Sequence, residues 1–406
     1  MRTVLLISPG YPAEMPFFVR GLAASGARVV GVGDQPATSL PAMAQENLDA
    51  YWQVPSFGDE HGIVEAVRRH AAHVRIDQVE SLWEPTMMLA ARLREMLDVP
   101  GMTVEQTIPF RDKEEMKRVL DAAGIRTPRH HRAATVNGVR EAAEGIGFPL
   151  IVKPIAGAGS AHTFRVDSAA DLEAVLPELV NVADVSVEEF VDGEEFTFDT
   201  ICADGQVLYE NISWYRPRPL IARSLEWISP ITLALRDPSV EHLAGGRAVG
   251  RAVLGALGFR DGFTHMEWYR RHDGEVVFGE IGARPPGART VDVMNFTCDS
   301  DLYTRWAEAV VLGGFTEEVT RSFNSAAVCK RAQGQGRITA IEGLGRLLGE
   351  LGEWVAAVDL LPVGSPRRDW RQTLLSDGWV IVRHPELSAC IGIADRFAGE
   401  LQIYAG

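Results

Sequence analysis

Two short apolar runs, "FTHMEWYRRH" and "EVVFGEIGA", flank Asp273-Gly274, a strong signal for a two-residue hairpin turn. Such a turn pairs His272 with Glu275 and, counting outward, Glu267 with Glu280. Like charges directly opposite one another in a ladder are destabilising. A divalent cation between them removes that cost, and paired carboxylates suit magnesium held together with a nucleotide phosphate. The same count across Asp204-Gly205 sets Asp199 opposite Glu210, where no metal is expected, so pairing by itself does not decide the matter. Directly after Glu280 comes "IGARPPGART", whose Arg284 and Arg289 are candidate anion binders. At this point a strand end followed by a surface loop remains an equally simple reading.

Two earlier stretches carry related chemistry. In "PLIVKPIAGAGSAHTFRV" an apolar strand ends at Lys153 and runs into Gly157, Gly159, Ser160 and Ala161. Small residues let backbone N–H groups approach a phosphate, and the lysine adds charge. The stretch is not a dinucleotide fingerprint, because His162 stands where the third glycine belongs, and it lacks the G-K-[ST] of a Walker loop. In "VSVEEFVDGEEFT", Glu188 and Glu195 flank Phe190 and Val191, which suits an adenine amine, a ribose and a backbone-read adenine edge. Taken singly, the first stretch also reads as a hairpin loop and the second as a solvated acidic turn. His265 alternates in phase with Glu267 and shares its face of the strand, as a substrate contact or as a structural histidine.

The elements that must position these residues fall into three blocks. Residues 1–100 alternate short apolar strands with amphipathic helices, beginning "RTVLLISPG", and predict an open parallel α/β sheet whose strand ends offer a ligand edge. Residues 101–320 change to an α+β pattern with tight turns, and residues 321–406 form a smaller α+β region in which "SAAVCKRA" and "GWVIVRH" read as strands and "IADRFAGELQIY" as a helix. The long loop "SWYRPRPLIARSLEW", basic and aromatic, is a candidate wall of a substrate pocket or a docking surface.

Composition bounds the function. At 406 residues, 46% hydrophobic and 23% charged, the chain is expected to build roughly two to four domains with real cores. A formal net charge of -15 disfavours nucleic acid and anionic membrane surfaces as general partners. Cys202, Cys298, Cys329 and Cys390 show no metal-ligand or disulfide spacing, and "TVLLI" is too short for a signal-peptide core, so a cytoplasmic protein with reduced thiols is expected. A homodimer is the commonest closed assembly to expect.

Read in order, Lys113 in "RDKEEMKRVLDAAGIRTP", Lys153, the small-residue loop, "VEEFVDGEEFT", "HMEW" and "GEIGARPPG" resemble the ATP-grasp family over roughly residues 101–320. The resemblance implies an α/β domain followed by an α+β ATP-grasp domain, with ATP and Mg2+ (or Mn2+) as cofactors. It implies that Lys113 and Lys153 hold nucleotide phosphates, that the loop from Gly157 to Ala161 covers them, and that Glu188 with the Phe190 and Val191 backbone takes adenine. Glu195 would hold the ribose, Glu267 and Glu280 the metal, and Arg284 the phosphoryl group in transfer. Many members carry Asn two residues after the second acid, where this chain has Gly282. The implied activity is an ATP-dependent ligation of a small carboxylate to an amine through an acylphosphate, with amino-acid substrates favoured and Arg289 and His265 as substrate candidates. The alternatives are a bicarbonate-using carboxylase of the biotin or purine type and a catalytically silent ATP binder. Met116-Lys117 lies in an amphipathic helix rather than a hairpin, so no biotin-carrier segment is expected there.

Overall fold

A computed structural model describes residues 1–155, 163–179, 182–373 and 375–406. The first sheet is parallel, with Thr3–Ile7 between Arg28–Gly33 and Gln78–Glu80, and Ala50–Gln53 outside Arg28–Gly33. Every residue of "TVLLI" is buried, as a parallel strand covered on both faces requires. Helices Glu60–Ala71 and Met87–Leu97 cover one face. Helix Met15–Ala24 covers the other and fastens this sheet to the rest of the chain. Its Phe18 ring meets Tyr303 and Trp306 edge-on at 4.8 and 5.1 Å, and Gly21 sits so close to the Tyr303 carbonyl that a Cβ there would lie 2.6 Å from the oxygen.

A small antiparallel sheet follows in the order His130–Ala133, Val185–Glu189, Leu150–Pro154, Phe164–Val166. Helices Val136–Ile146 and Ala169–Val175 bury their apolar stripes against it. Its register sets Glu188 between His130 and Ile151, and Lys153 opposite Ser186.

The larger antiparallel sheet runs Val276–Gly282, Gly262–Arg270, Glu194–Ala203, Ser213–Arg216, Ile231–Ala234, Asn324–Lys330, Gly378–His384, Val355–Leu360, with Gln206–Asn211 also paired to Glu194–Ala203. Strands beyond residue 320 therefore continue a sheet begun at residue 194, so the division drawn there from sequence does not separate two sheets. The tail "LQIY" differs from expectation. The helix Leu387–Glu400 stops, and Gln402–Ala405 is a strand between Gln333–Gly334 and Ile338–Glu342. Pairing to two neighbours and burial of Ile403 outweigh local helix periodicity there.

Two hairpins refine the register. Around Asp273-Gly274 the loop holds three residues, 272–274: the Arg271 N–H donates to the Glu275 carbonyl at 2.9 Å, and Gly274 has φ +87°. Counting from that turn alone would miss the Glu267–Glu280 pairing by one residue. A bulge at Gly279 adds one residue back, so Trp268 pairs with Phe278 but Glu267 pairs with Glu280, as the two-residue count expected. At Asp204-Gly205 both residues have positive φ and the turn is the expected two-residue type. There a bulge at Leu208 overturns the expected Asp199–Glu210 pair: Asp199 faces Asn211, whose Nδ2 donates to its Oδ2 at 3.0 Å, and Glu210 instead accepts from Arg251 at 2.6 Å.

A Cβ at Gly279 would lie 2.8 Å from the Glu267 carbonyl oxygen, a backbone atom that cannot swing aside. Gly279→Ala is therefore expected to lower stability by about 1–3 kcal/mol, read as a loss in urea midpoint. An unchanged midpoint would show that the bulge is not under this constraint.

Candidate active site

Between the small sheet, the large sheet and the C-terminal ends of the parallel strands lies a cavity of about 490 Å³. Most of the residues singled out from sequence meet on its wall. Lys153 ends strand Leu150–Pro154, and its Nζ lies 3.0 Å from Glu188 and 3.6 Å from Glu280. Lys113 opens helix Lys113–Ala122, whose N-cap Asp112 accepts from the Glu114 and Glu115 N–H groups, and its Nζ is 3.5 Å from Glu280. Glu267 and Glu280 share the wall on adjacent strands.

The charges sustain one another. Burial alone would neutralise these groups. Burial pushes the Glu280 carboxyl up, but Lys113 and Lys153 outweigh it and hold the group down at about 2. Glu188 is likewise opposed by burial yet held well below the usual carboxylate range by Lys117 and Lys153. Lys153 stays protonated against its own desolvation because Glu188 and Glu280 flank it.

Glu188 is not free to reach a nucleotide amine. One oxygen accepts from Lys117 at 2.5 Å and from Ser186 Oγ at 2.8 Å, and the other faces Lys153 at 3.0 Å. Lys117, 1% exposed, is read in the sequence only against a biotin-carrier pattern and not as a site residue. The available signal was its i,i+4 spacing from Lys113, which puts both on one helix face.

At the other end of the cavity Glu195 is ion-paired to Arg218 at 3.0 Å, and Arg218 also donates to the Val191 carbonyl at 2.8 Å. Burial first, then Glu267, pushes the Glu195 carboxyl up to about 8 against the pull of Arg218. Phe190 lies under the guanidinium groups of Arg165 and Arg218, at 4.1 and 5.0 Å. The stretch expected to be a long loop is ordered as strand Ser213–Arg216 and helix Pro219–Ser224; Tyr215, Arg218 and Arg223 line the cavity while Trp227 is 79% exposed.

Arg284 is anchored from the first sheet: its Nε lies 2.9 Å from Glu84, which also binds Arg111. Glu84 follows the short strand Gln78–Glu80, and only its place at a strand's C-terminal edge marked it in the sequence. Arg289 does not join the cavity wall. It holds φ +63°, its guanidinium pairs with Asp292 at 3.3 Å and lies over the Trp379 ring, and only its backbone N–H meets a wall residue, Glu14. His265 does line the cavity. Its Nδ1 meets the buried Asp199 at 2.6 Å and its Nε2 lies 3.7 Å from Glu267; burial opposes the cation, but these carboxylates push it up to about 9. Gly282 sits opposite His265, and a Cβ there would lie 3.3 Å from Arg284 Cγ. Gly157, Gly159, Ser160, Ala161 and His162 lie outside the described residues.

A model of the ATP-grasp domain matches residues 110–212, the stretch that carries Lys113, Lys153, Glu188 and Glu195. The L-arginine-specific L-amino acid ligase of Bacillus subtilis is 30% identical over 218 residues, covering 52% of each chain. A D-alanine--D-alanine ligase of Pseudomonas putida is 35% identical over 119 residues, 29% of this chain and 37% of that one. The chain thus spans about half, or less, of the length of these relatives. In fold, the ATP-grasp neighbours extend over the whole chain: the L-amino acid ligase from Bacillus licheniformis superposes with a TM-score of 0.80 at 22% identity, covering 100% of this chain and 99% of that one. N5-carboxyaminoimidazole ribonucleotide synthetase from Thermotoga maritima superposes at 0.71 and 16% identity, covering 100% of both. The parallel sheet followed by antiparallel sheets is the fold this chain shares with both structures. All four cysteines are buried and free, and among the described residues no helix is long and apolar enough to cross a membrane.

Two measurements follow from this geometry. Lys117→Met leaves Glu188 with one buried cation and is expected to cost about 3 kcal/mol in chemical denaturation; a change under 1 kcal/mol would show that Lys153 alone suffices. His265 has a folded pKa raised from 6.5 to about 9, so its contribution is full below pH 6.5 and is lost as pH rises through about 9. The stability difference between wild type and His265→Asn should therefore shrink across that window by on the order of 1–3 kcal/mol, and a pH-independent difference would overturn the charged-histidine assignment.

Proposed function

We propose that this chain is an ATP-dependent carboxylate–amine ligase. The observation that carries the reading is the Glu267–Glu280 pair beside Lys113 and Lys153, with Arg284 on the same wall. In this reading residues 101–320 hold the nucleotide, residues 1–100 supply the loops over the reacting end, and residues 321–406 complete the wall. Lys113 and Lys153 take the phosphates, exchanging their Glu280 contacts for phosphate oxygens. Glu195 and the Phe190–Val191 backbone take ribose and adenine. Glu188 keeps Lys117 and Lys153 charged and in place, which refines the adenine contact expected of it.

The two facing carboxylates fit a magnesium or manganese ion. Glu280 is held ionised, and among the described residues no cluster of three or more acidic, histidine or cysteine ligands competes with a site completed by phosphate and water. When bound, such an ion neutralises phosphate charge and orients the γ-phosphoryl group. A substrate carboxylate oxygen attacks the γ-phosphorus, the bond to the ADP oxygen breaks, and an acylphosphate forms. The amine nitrogen then attacks the acyl carbon, phosphate departs and the amine proton is lost. Arg284, oriented by Glu84, stabilises the charge that develops on the transferring group. The names of the B. subtilis and B. licheniformis proteins support amino acids as the substrate class.

The test is ADP and phosphate release from Mg-ATP across single and paired amino acids, amines and bicarbonate, with mass spectrometry of each active mixture. Release that requires an amino acid, with a product at the mass of the pair minus water, is expected. Bicarbonate-dependent release would reassign the chain to carboxylation. Glu280→Gln should lower turnover by about 100-fold or more, and near-normal turnover would overturn the metal assignment.

A further inference from the structure

Among the described residues, the basic side chains on the cavity wall are matched with acids, with two exceptions. Lys113 and Lys153 face Glu280, Arg218 faces Glu195, His265 faces Asp199 and Arg284 faces Glu84. Arg223 and Arg331 also line the cavity, yet among the described residues neither has an ion-pair partner. In a chain of net charge -15 that is conspicuous, because carboxylates are in excess and nearby Glu226 binds Arg367 instead.

The two guanidinium groups are linked. Arg331, 9% exposed, donates through one nitrogen to the carbonyls of Ala222 and Leu225, at 2.8 Å each, and through Nε to Ser376 Oγ at 3.3 Å; its plane lies over the Trp370 ring at 4.6 Å. These contacts tie Arg331 to the end of helix Pro219–Ser224, which carries Arg223. The Arg223 Nε is buried without a hydrogen-bond partner among the described residues, and its Nη1 donates in a long 3.4 Å bond to the Arg371 carbonyl. Burial lowers the pKa of both groups, Glu226 offsets this only in part for Arg331, and among the described residues neither guanidinium has a carboxylate at ion-pair distance. A carboxylate gripped by such a fork supplies both the charge and the missing acceptor.

We propose that Arg223 and Arg331 form a carboxylate-binding subsite of the cavity, and that the second substrate is an amine carrying a free carboxylate that the reaction does not consume. The inference rests on the ligase reading and narrows it. Arg331 directly follows strand Asn324–Lys330, four strand positions from the strand of Glu267. At about 4.8 Å per position the backbones stand roughly 19 Å apart. An acceptor that carries a carboxylate answers the guanidinium pair, whereas a simple amine leaves it unmatched.

The experiment compares acceptors with and without the carboxylate, L-glutamate against L-glutamine and L-alanine against L-alaninamide, in wild type, Arg223→Met and Arg223→Lys. Wild type should prefer the carboxylate form in kcat/KM by about 10- to 100-fold, the effect of a charge-assisted hydrogen bond. Arg223→Met should bring that ratio close to one with the KM for ATP unchanged, and Arg223→Lys should restore part of it. An unchanged ratio in Arg223→Met overturns the proposal. A raised KM for ATP with the ratio intact also overturns it and assigns the pair to nucleotide phosphate. If wild type is silent with every acceptor, the ligase reading fails separately, and calorimetric titration of L-glutamate into the ADP complex reads the subsite alone. Binding weakened at least tenfold by Arg223→Met supports it; equal affinities, or no binding to wild type, overturn it.

Discussion

Lys117 and Lys153 share the Glu188 carboxylate, and Lys153 and Lys113 share that of Glu280, in a region almost closed to water. Isolated, each of these groups would lose its charge on burial; together they keep it, because each lysine finds an acid within 3.5 Å. The rest of the site depends on this balance. It fixes the small sheet, which carries Lys153 and Glu188, against both the helix of Lys113 and Lys117 and the hairpin of Glu280. It also leaves a cationic wall whose inner partners are fixed and whose outer partner, Glu280, is 30% exposed at its side chain and faces the cavity. A polyphosphate entering such a wall replaces one anion by another without uncovering unpaired lysines.

The second constraint is mechanical. Phe18, Tyr303 and Trp306 lock the parallel sheet to the helix Leu302–Leu312, with Gly21 permitting backbone contact. That docking carries the loop of Glu84 to Arg284, two residues 200 positions apart in the chain. The Arg284 end of the cavity is thus assembled across the junction of two sheets, while the Lys153 end is assembled between the small sheet and the large one. Helix Pro219–Ser224 closes a third side, held by Arg331 through its terminal carbonyls.

Much of this was legible along the chain because the signals are local. The Gly/Asp turns mark the hairpins, alternation marks the strand faces, and Lys153 at the end of an apolar strand is visible as a charge where burial stops. The register of the two carboxylate hairpins was less legible. At Asp273-Gly274 a longer loop and the bulge at Gly279 compensate, so Glu267 still meets Glu280; at Asp204-Gly205 the turn is as expected, but the bulge at Leu208 moves Asp199 onto Asn211. A bulge is selected by packing on both faces of the sheet, and a pairing count from the turn contains none of that information. The site roles of Lys117, Glu84 and Arg218 were not legible for a similar reason: each acquires its role from a partner at least 23 residues away.

By itself the sequence determined the order of elements, the family resemblance and the identity of the facing acids, since these follow from periodicity, turn chemistry and the spacing of a few residue types. Only the tertiary structure decided which side chains face the cavity. It turned Arg289 away to Asp292 and Trp379, engaged both oxygens of Glu188 with lysines, and left Arg223 and Arg331 on the wall with no ion-pair partner among the described residues. The physical reason is that ionic partnership in a buried site depends on distances of a few ångströms between strands remote in the chain, and those distances are set by the packing of the sheets rather than by any local stretch of residues.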